Sequence, residues 1–286
     1  MKDPMKDIHP KNPKALVLRQ KMQLAMSGFR DKLGVHDFDP NDFEVVPVRV
    51  TIPELDPVFN DYRIVHISDI HMGQWISSKR IKGVVNLVNQ QKPDLIAITG
   101  DSVSYLADEP VLDMLRSLEG LKPRDATVSV LGNHDHWMGA EKIRKIMGEN
   151  GIIDLENDVY TLKRGDAYLH IAGVDSVTLD HQDLEQVLQK MPEKGPAVLL
   201  AHEPDFADTT AATGRFSLQL SGHSHGGQVV IPGFGTPFKG SNFKKYPLGM
   251  YHVGDMVQYT NRGLGTNVFW FRINCPPEIT VLKLHS

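Results

Sequence analysis

Apolar residues along the chain follow two different periods. Leu18, Met22, Ala25, Met26, Phe29 and Leu33 recur at intervals of three and four with basic residues between them, which predicts an amphipathic basic helix over residues 13–33. Residues 43–57 are punctuated by Pro and rich in Val and Ile, the pattern of an edge strand. Short apolar runs then appear at 62–68 (YRIVHIS), 94–99 (DLIAIT), 127–131 (TVSVL) and 197–201 (AVLLA), each running into polar residues. Segments with helical period at 77–91, 109–118, 140–150 and 181–190 separate them, so βαβ units with a buried sheet are expected. The second half is richer in strand signals, at 159–163, 168–173, 216–220, 228–231, 256–261 and 279–284. Residues 232–250, rich in Gly, Pro, Phe, Lys and Tyr, carry no helix period and predict a long loop. The expected fold is α/β, a four-layer α/β/β/α sandwich of two packed mixed sheets flanked by helices. Residues 1–43 form a basic arm and residues 44–286 the body in this reading.

Composition narrows the chemistry. With 286 residues, 41% of them apolar and 23% charged, the chain can bury a real core and is not disordered over most of its length. Its single cysteine, Cys275, excludes an internal disulfide and any thiolate-rich zinc or iron–sulfur site, and burial is the expected fate of that side chain. The 31 basic and 35 acidic residues leave a formal charge of −4, so a nucleic-acid partner has no electrostatic basis. The charge is uneven, however. Between Lys11 and Gly34, Lys11, Lys14, Arg19, Lys21, Arg30 and Lys32 stand against only Asp31, so a basic arm sits on an acidic body. The apolar stripe of its helix has two readings, packing onto the body or docking on an anionic membrane surface. No run approaches the roughly 18 to 20 apolar residues of a membrane span, and no leader is evident, so the expectation is a cytoplasmic chain, peripheral to a membrane if the arm docks there.

Of 13 histidines, His9, His36, His170, His181, His252 and His285 show no ligand spacing and are read as surface or core residues. His66, inside an apolar strand, is expected to be packed and hydrogen-bonded, and His136 is a loop histidine or a contact near the substrate. The rest form clusters that each follow a strand: Asp69-x-His71, Gly100-Asp101, Gly132-Asn133-His134-Asp135, His202, and Gly222-His223-Ser224-His225-Gly226-Gly227-Gln228. Two neighbouring divalent ions repel and need a shared anion, for which Asp101 is the candidate. His223 and His225, two apart in an extended segment, face one side and can reach different ions. Nitrogen and oxygen donors without sulfur suit Mn, Fe, Zn or Co.

This ordered set resembles the signature of the calcineurin-like metallophosphoesterase superfamily, D-x-H, G-D, G-N-H-[DE], H and G-H-x-H, without a substitution. The GHSHGGQ continuation, with Asn274-Cys275-Pro276-Pro277-Glu278-Ile279, looks like the bacterial YkuE/YaeI-type phosphodiesterase branch, which includes enzymes similar to UDP-diacylglucosamine pyrophosphohydrolases. The resemblance covers residues 62–284 and leaves out the first 40. It implies two divalent cations, one held by Asp69, His71 and His225, the other by Asn133, His202 and His223, with Asp101 between them. It also implies that a bridging hydroxide attacks phosphorus, that His134 protonates the leaving oxygen or stabilises the transition state, and that Asp135 orients the His134 imidazole through a hydrogen bond. The expected activity is hydrolysis of a phosphodiester or pyrophosphate in a small molecule, a lipid-linked or nucleotide-sugar substrate being one reading. Aromatic and basic residues of the 233–251 loop, the 269–271 aromatic run, and Arg262 and Arg272 are candidate substrate contacts. A nuclease or cyclic-nucleotide phosphodiesterase uses the same metal chemistry. A non-catalytic membrane adaptor that binds a phosphorylated partner is the contrasting reading, and turnover separates it from the enzymes.

Overall fold

The computed structural model describes residues 13–32, 38–237, 240–267 and 271–286. Strands β1 (Glu44–Thr51), β2 (Arg63–Ile67), β3 (Leu95–Thr99), β4 (Ala126–Val130) and β5 (Ile152–Asp154) alternate with helices α2 (Ser78–Gln90), α3 (Glu109–Arg116) and α4 (Asn133–Glu149), all after the N-terminal helix α1 (Pro13–Lys32). β6 (Asp158–Arg164), β7 (Ala167–Gly173), α5 (Leu184–Lys190), β8 (Ala197–Leu200), α6 (Ala207–Ala212), β9 (Leu218–Ser221), β10 (Gly249–Val253), β11 (Met256–Thr260) and β12 (Glu278–His285) follow. Two six-stranded sheets result, ordered β1-β12-β2-β3-β4-β5 and β10-β11-β9-β8-β7-β6. Both are mixed: β2, β3, β4 and β5 are mutually parallel while β12 runs antiparallel to β2. In the other sheet β7, β8, β9 and β11 are parallel, with β6 and β10 antiparallel at the edges.

The period of two in each strand sorts its side chains into separate cores. Ile64, Leu95, Ala97 and Val128 of the first sheet meet Val198, Leu200, Leu218 and Leu220 of the second in a core between the sheets. The alternate residues Val65, Ile67, Ile96 and Ile98 face α2, α3 and α4, whereas Ala197 and Leu199 face α5 and α6. Three apolar layers between four layers of structure are the sandwich that the sequence predicts. β1 lies at a sheet edge, which its Pro47 tolerates because no neighbour asks for the missing N–H.

Several segments differ from the sequence reading. α4 begins at Asn133, seven residues ahead of the predicted start, because Gly139 (φ 112°) kinks the helix and breaks its apolar period. Residues 228–231 form isolated bridges, Val229 to Ile273 and Ile231 to Gly235, rather than a strand. Positive φ at Gly226, Gly227 and Gln228 prevents an extended run there. β5 and α6 are too short for a period to show in the chain, and β10 begins inside the 232–250 segment read as a loop. The largest difference concerns α1. Leu18 and Met22 are 59% and 51% exposed and Ala25 is exposed as well, so this part of the stripe does not pack on the body. The inward face is instead Leu16, Arg19, Gln20 and the buried Gln23. The side chains of Met26 and Phe29, and Leu33, lie outside the described residues, as do His9, His36, Phe269 and Trp270.

Candidate metal centre

Every cluster of sequence-derived donors lies at the carboxyl end of a parallel strand, where chain direction changes and side chains are released from the sheets. Asp69 and His71 follow β2, Asp101 follows β3, Asn133 and His134 open α4 after β4, His202 follows β8, and His223 and His225 follow β9. The connecting loops are laced together by backbone bonds: Asp69 N donates to Gly100 O, His71 N to Asp101 O and Gly222 N to His202 O, each at 3.0 Å. Asp69, His71, Asp101, His223 and His225 all have φ between 46° and 66°, a left-handed conformation that costs about 1 to 2 kcal/mol per non-glycine residue and persists where the surroundings impose it. Two glycines let these loops approach. A Cβ on Gly222 would sit 1.8 Å from Ser68 Oγ and 2.2 Å from Asp69 Oδ2, and one on Gly132 would sit 2.2 Å from Asp101 Oδ1.

The side chains converge as overlapping groups of three, one of which, His71, Asp101 and His134, links the other two. Asp69, His71 and His225 form one of these two, and Asp101, His202 and His223 the other, with donor atoms in each within 4.8 Å of one another. Asp101 Oδ2 borders both, 3.6 Å from His71 Nε2 and 3.2 Å from His202 Nε2, while its Oδ1 accepts from His134 N at 2.9 Å. Asp69 Oδ2 is held by Ser68 Oγ at 2.7 Å and His223 N at 2.9 Å. His202 Nδ1 donates to Thr99 O at 2.7 Å, since a carbonyl only accepts, and this leaves Nε2 as the ring atom turned toward Asp101 Oδ2. All these residues are buried except His223, which is half-buried and marks the open side. His223 packs edge-on against Phe243 at 5.4 Å, so the 233–251 loop does reach the centre.

The electrostatics show what the cluster lacks. Burial holds the His71 and His225 imidazoles well below their usual range, and pushes His223 down to about 4 with help from neighbouring His202. Burial pushes Asp69 up to about 6 and, joined by the Asp101 charge, Asp135 up to about 7. His202 goes the other way: burial opposes its charging, but Asp101 outweighs it. Among the described residues, Asp69 Oδ1 and Asn133 Oδ1 are buried acceptors with no hydrogen-bond partner. Against burial, His202 and His134 hold Asp101 well below the carboxylate range, so Asp101 and His202 form a charge pair. The neutral His71, His223 and His225, the raised Asp69 and the orphaned oxygens around that pair are still short of positive charge, and divalent cations fit them.

Two sequence readings need correction. Asp135 does not touch the His134 ring; its carboxylate accepts from the backbone N–H groups of Ser102 (2.9 Å), Val103 (3.2 Å) and Gly132 (3.1 Å). At N3 of α4 it points back to the helix start and the 102–103 turn, where unpaired amides outcompete the imidazole. The ring is held instead by Ser104 O, which accepts from His134 Nδ1 at 3.1 Å, and by aromatic contacts with His71 (4.7 Å), Tyr105 (4.7 Å) and Trp137 (4.6 Å). Arg262 is committed to Glu278 (2.6 Å) and Glu44 (2.7 Å), and the Arg272 guanidinium to carbonyls including Arg262 O (2.7 Å) and Gly265 O (2.6 Å); these bonds brace the His225 segment rather than face a substrate.

His66 is buried and bonds Thr99 Oγ1 at 2.8 Å, and Cys275 is buried, both as expected. Tyr105 was invisible to motif reading. Arg19 of α1 donates to its hydroxyl at 2.5 Å, and the Gln23 side-chain oxygen accepts from its backbone N–H at 3.1 Å, so the arm reaches the ring that packs on His134.

Comparison with known proteins agrees with this arrangement. A family model described as calcineurin-like phosphoesterase matches residues 62–227. The metallophosphoesterase YkuE of Bacillus subtilis is 35% identical over 234 residues, covering 80% of each chain. The phosphodiesterase YaeI of Escherichia coli is 30% identical over 265 residues, 87% of this chain and 91% of that one. A zebrafish (Danio rerio) transmembrane protein with a metallophosphoesterase domain is 29% identical over 257 residues, 84% of this chain and 57% of that protein. Among the described residues of this chain no helix is long and apolar enough to cross a membrane.

Proposed function

The chain belongs to the calcineurin-like phosphoesterase family, a family of metal-dependent phosphoester hydrolases, and from that premise we propose that it cleaves a phosphodiester or pyrophosphate bond at a pair of divalent cations. One observation carries the reading. A single carboxylate oxygen, Asp101 Oδ2, borders both donor groups. Asp69, His71 and His225 would hold one cation, Asn133, His202 and His223 the other, and Asp101 both. When bound, such cations supply Lewis acidity toward phosphoryl oxygens and lower the pKa of water between them.

The chain's own groups do the rest. The Ser104 carbonyl keeps a proton on His134 Nδ1, so Nε2 is the ring atom left to act. It gives a proton to the leaving oxygen from the imidazolium form, which burial disfavours and the Asp101 charge favours. Tyr105 and Trp137 against the ring restrict its rotation and exclude water. Asp135 positions the Ser102–Val103 turn beside Asp101 and so acts on the centre through the backbone.

The substrate reading is a phosphodiester or pyrophosphate with an apolar chain, in a molecule presented at a membrane surface. Its support is the orientation of α1: Arg19 and Gln23 grip Tyr105 beside His134, which turns Val17, Leu18, Met22 and Leu24 outward as an apolar face next to the centre. Residues 44–286 act as the catalytic unit and residues 1–43 as the arm.

The test is turnover of bis(p-nitrophenyl) phosphate by manganese-reconstituted protein, followed by a panel of monoesters, cyclic nucleotides, oligonucleotides and UDP-linked glycolipids. His134→Ala should lower kcat by about 10²- to 10⁴-fold, the usual share of a general acid, with bound metal unchanged. Asp101→Ala should lose both metal and activity. Full turnover in both variants overturns the assignment, and no hydrolysis of any substrate by the wild type would favour the adaptor reading. Preference for oligonucleotides would replace the lipid reading with a nuclease.

A further inference from the structure

Asp175 and His181 lie on one segment, 39 residues or more beyond His136, and share no motif with it, yet the three meet beside the first turn of α4. His136 Nε2 lies 2.6 Å from Asp175 Oδ1, and His181 Nδ1 lies 4.0 Å from Asp175 Oδ2. Three donor atoms, one from each side chain, fall within 4.8 Å of one another, and the two imidazole rings are 4.8 Å apart at an interplanar angle of 72°. None of the three belongs to the donor groups around Asp101. Asp175 is buried, His136 is half-buried and His181 is exposed, so the cluster has a fixed floor and an open side through which an ion can enter and waters complete its shell. We propose that these three side chains form an additional cation site, for a zinc- or cobalt-class ion, separate from the catalytic centre.

The donor chemistry selects the ion class. Two imidazoles and one carboxylate, with no thiolate, are a set that zinc, cobalt and nickel accept, and that calcium and magnesium, which prefer oxygen alone, do not.

The surrounding charge points the same way. Arg144 is the basic side chain in contact with this group, and it is shared among Glu141 (3.1 Å), Asp154 (3.0 Å), Glu156 (2.5 Å) and Asp175 (3.3 Å). Four carboxylates around one guanidinium leave a local surplus of negative charge. Protons meet part of that charge: against burial, the hydrogen bond and charge of Asp175 raise His136, and burial with a hydrogen bond to Asp175 pushes the Glu156 carboxyl up to about 7. Arg144 meets Asp175 at Oδ2, the oxygen nearest His181, whereas His136 meets it at Oδ1, so the guanidinium anchors the carboxylate between the two imidazoles.

The position gives such an ion a structural consequence. Asp175 and His181 lie on the segment between β7 and α5, and α5 begins only at Leu184, capped by Asp183, which leaves His181 free of the helix. The same segment is tied at Ser176, Val177 and Thr178 to the carboxylate of Glu203, the neighbour of His202. His136 is two residues after His134. An ion at His136, Asp175 and His181 therefore joins the segment braced to His202 to the helix turn that carries His134.

Equilibrium dialysis of metal-depleted full-length protein against Co²⁺ or Zn²⁺, followed by elemental analysis, tests the site. His181→Ala, an exposed and therefore structurally mild change, should bind one equivalent fewer than wild type, and Asp175→Asn should match it. His252→Ala, an exposed histidine elsewhere, should bind as wild type does. The difference between variants is read whatever the total, so it does not depend on how many ions the catalytic centre takes. Zn²⁺ should also raise the thermal midpoint of wild type more than that of His181→Ala. Equal stoichiometry in wild type and His181→Ala overturns the proposal, as does an equal loss in His252→Ala, which would mark adventitious surface binding.

Discussion

His66 shows how a single buried side chain ties stability to pH. It sits in β2 with no exposed surface, and burial drives its pKa from the ordinary 6.5 to about 3. The folded state therefore refuses a proton that the unfolded chain accepts below 6.5. Stability from this residue is fully present above pH 6.5 and is lost as pH falls toward 3, by about 1.4 kcal/mol per unit. Urea unfolding midpoints between pH 7 and 4 should fall more steeply in wild type than in His66→Asn; parallel curves would refute the burial argument. The strand pattern was enough to foresee a packed histidine here. The partners of Asp135 were not foreseeable, because the amides that capture it belong to a turn 32 and 33 residues away in sequence. The five left-handed donors show the same limit, since Asp and His are enriched in that conformation but residue type does not say which of them adopt it.

At the scale of elements, each strand is a delivery device. Its apolar alternation fixes which face enters which core, and the first polar residues after it emerge at the sheet's carboxyl edge. For that reason the strands that carry donors, β2, β3, β4, β8 and β9, were readable from the chain. α1 was readable as a helix but not as to which side faces in. Its apolar stripe left packing on the body and docking on an anionic membrane as alternatives; Arg19 and Gln23 find specific partners on Tyr105, and Leu18 and Met22 stay exposed. Leu18→Glu combined with Met22→Glu should then change thermal stability by no more than about 0.5 kcal/mol, as expected for surface positions. The same double variant should abolish co-sedimentation with anionic phospholipid vesicles. A clear stability loss would mean that this face is packed, and unchanged vesicle binding would remove the membrane role of α1.

The whole molecule holds its two sheets together around a centre rich in buried polar groups. Cations that bind only the folded state should stabilise it by mass action, about 2.7 kcal/mol at a hundredfold excess over Kd. For a chain of this size that corresponds to roughly 5 to 10 °C in the midpoint. Chelation should lower the thermal midpoint by this order and manganese or zinc should restore it; a midpoint indifferent to chelator would argue against a metal centre. Taken at this scale, the sequence alone determined the layered architecture and which Asp, Asn and His residues emerge at strand ends, because both depend on local period and on residues adjacent to strand ends. Tertiary structure alone decided that one oxygen of Asp101 borders both donor groups, that Ser104 rather than Asp135 holds His134, that α1 reaches Tyr105, and that His136, Asp175 and His181 meet. Those outcomes depend on distances between segments remote in the chain, which packing sets and no spacing of residues records.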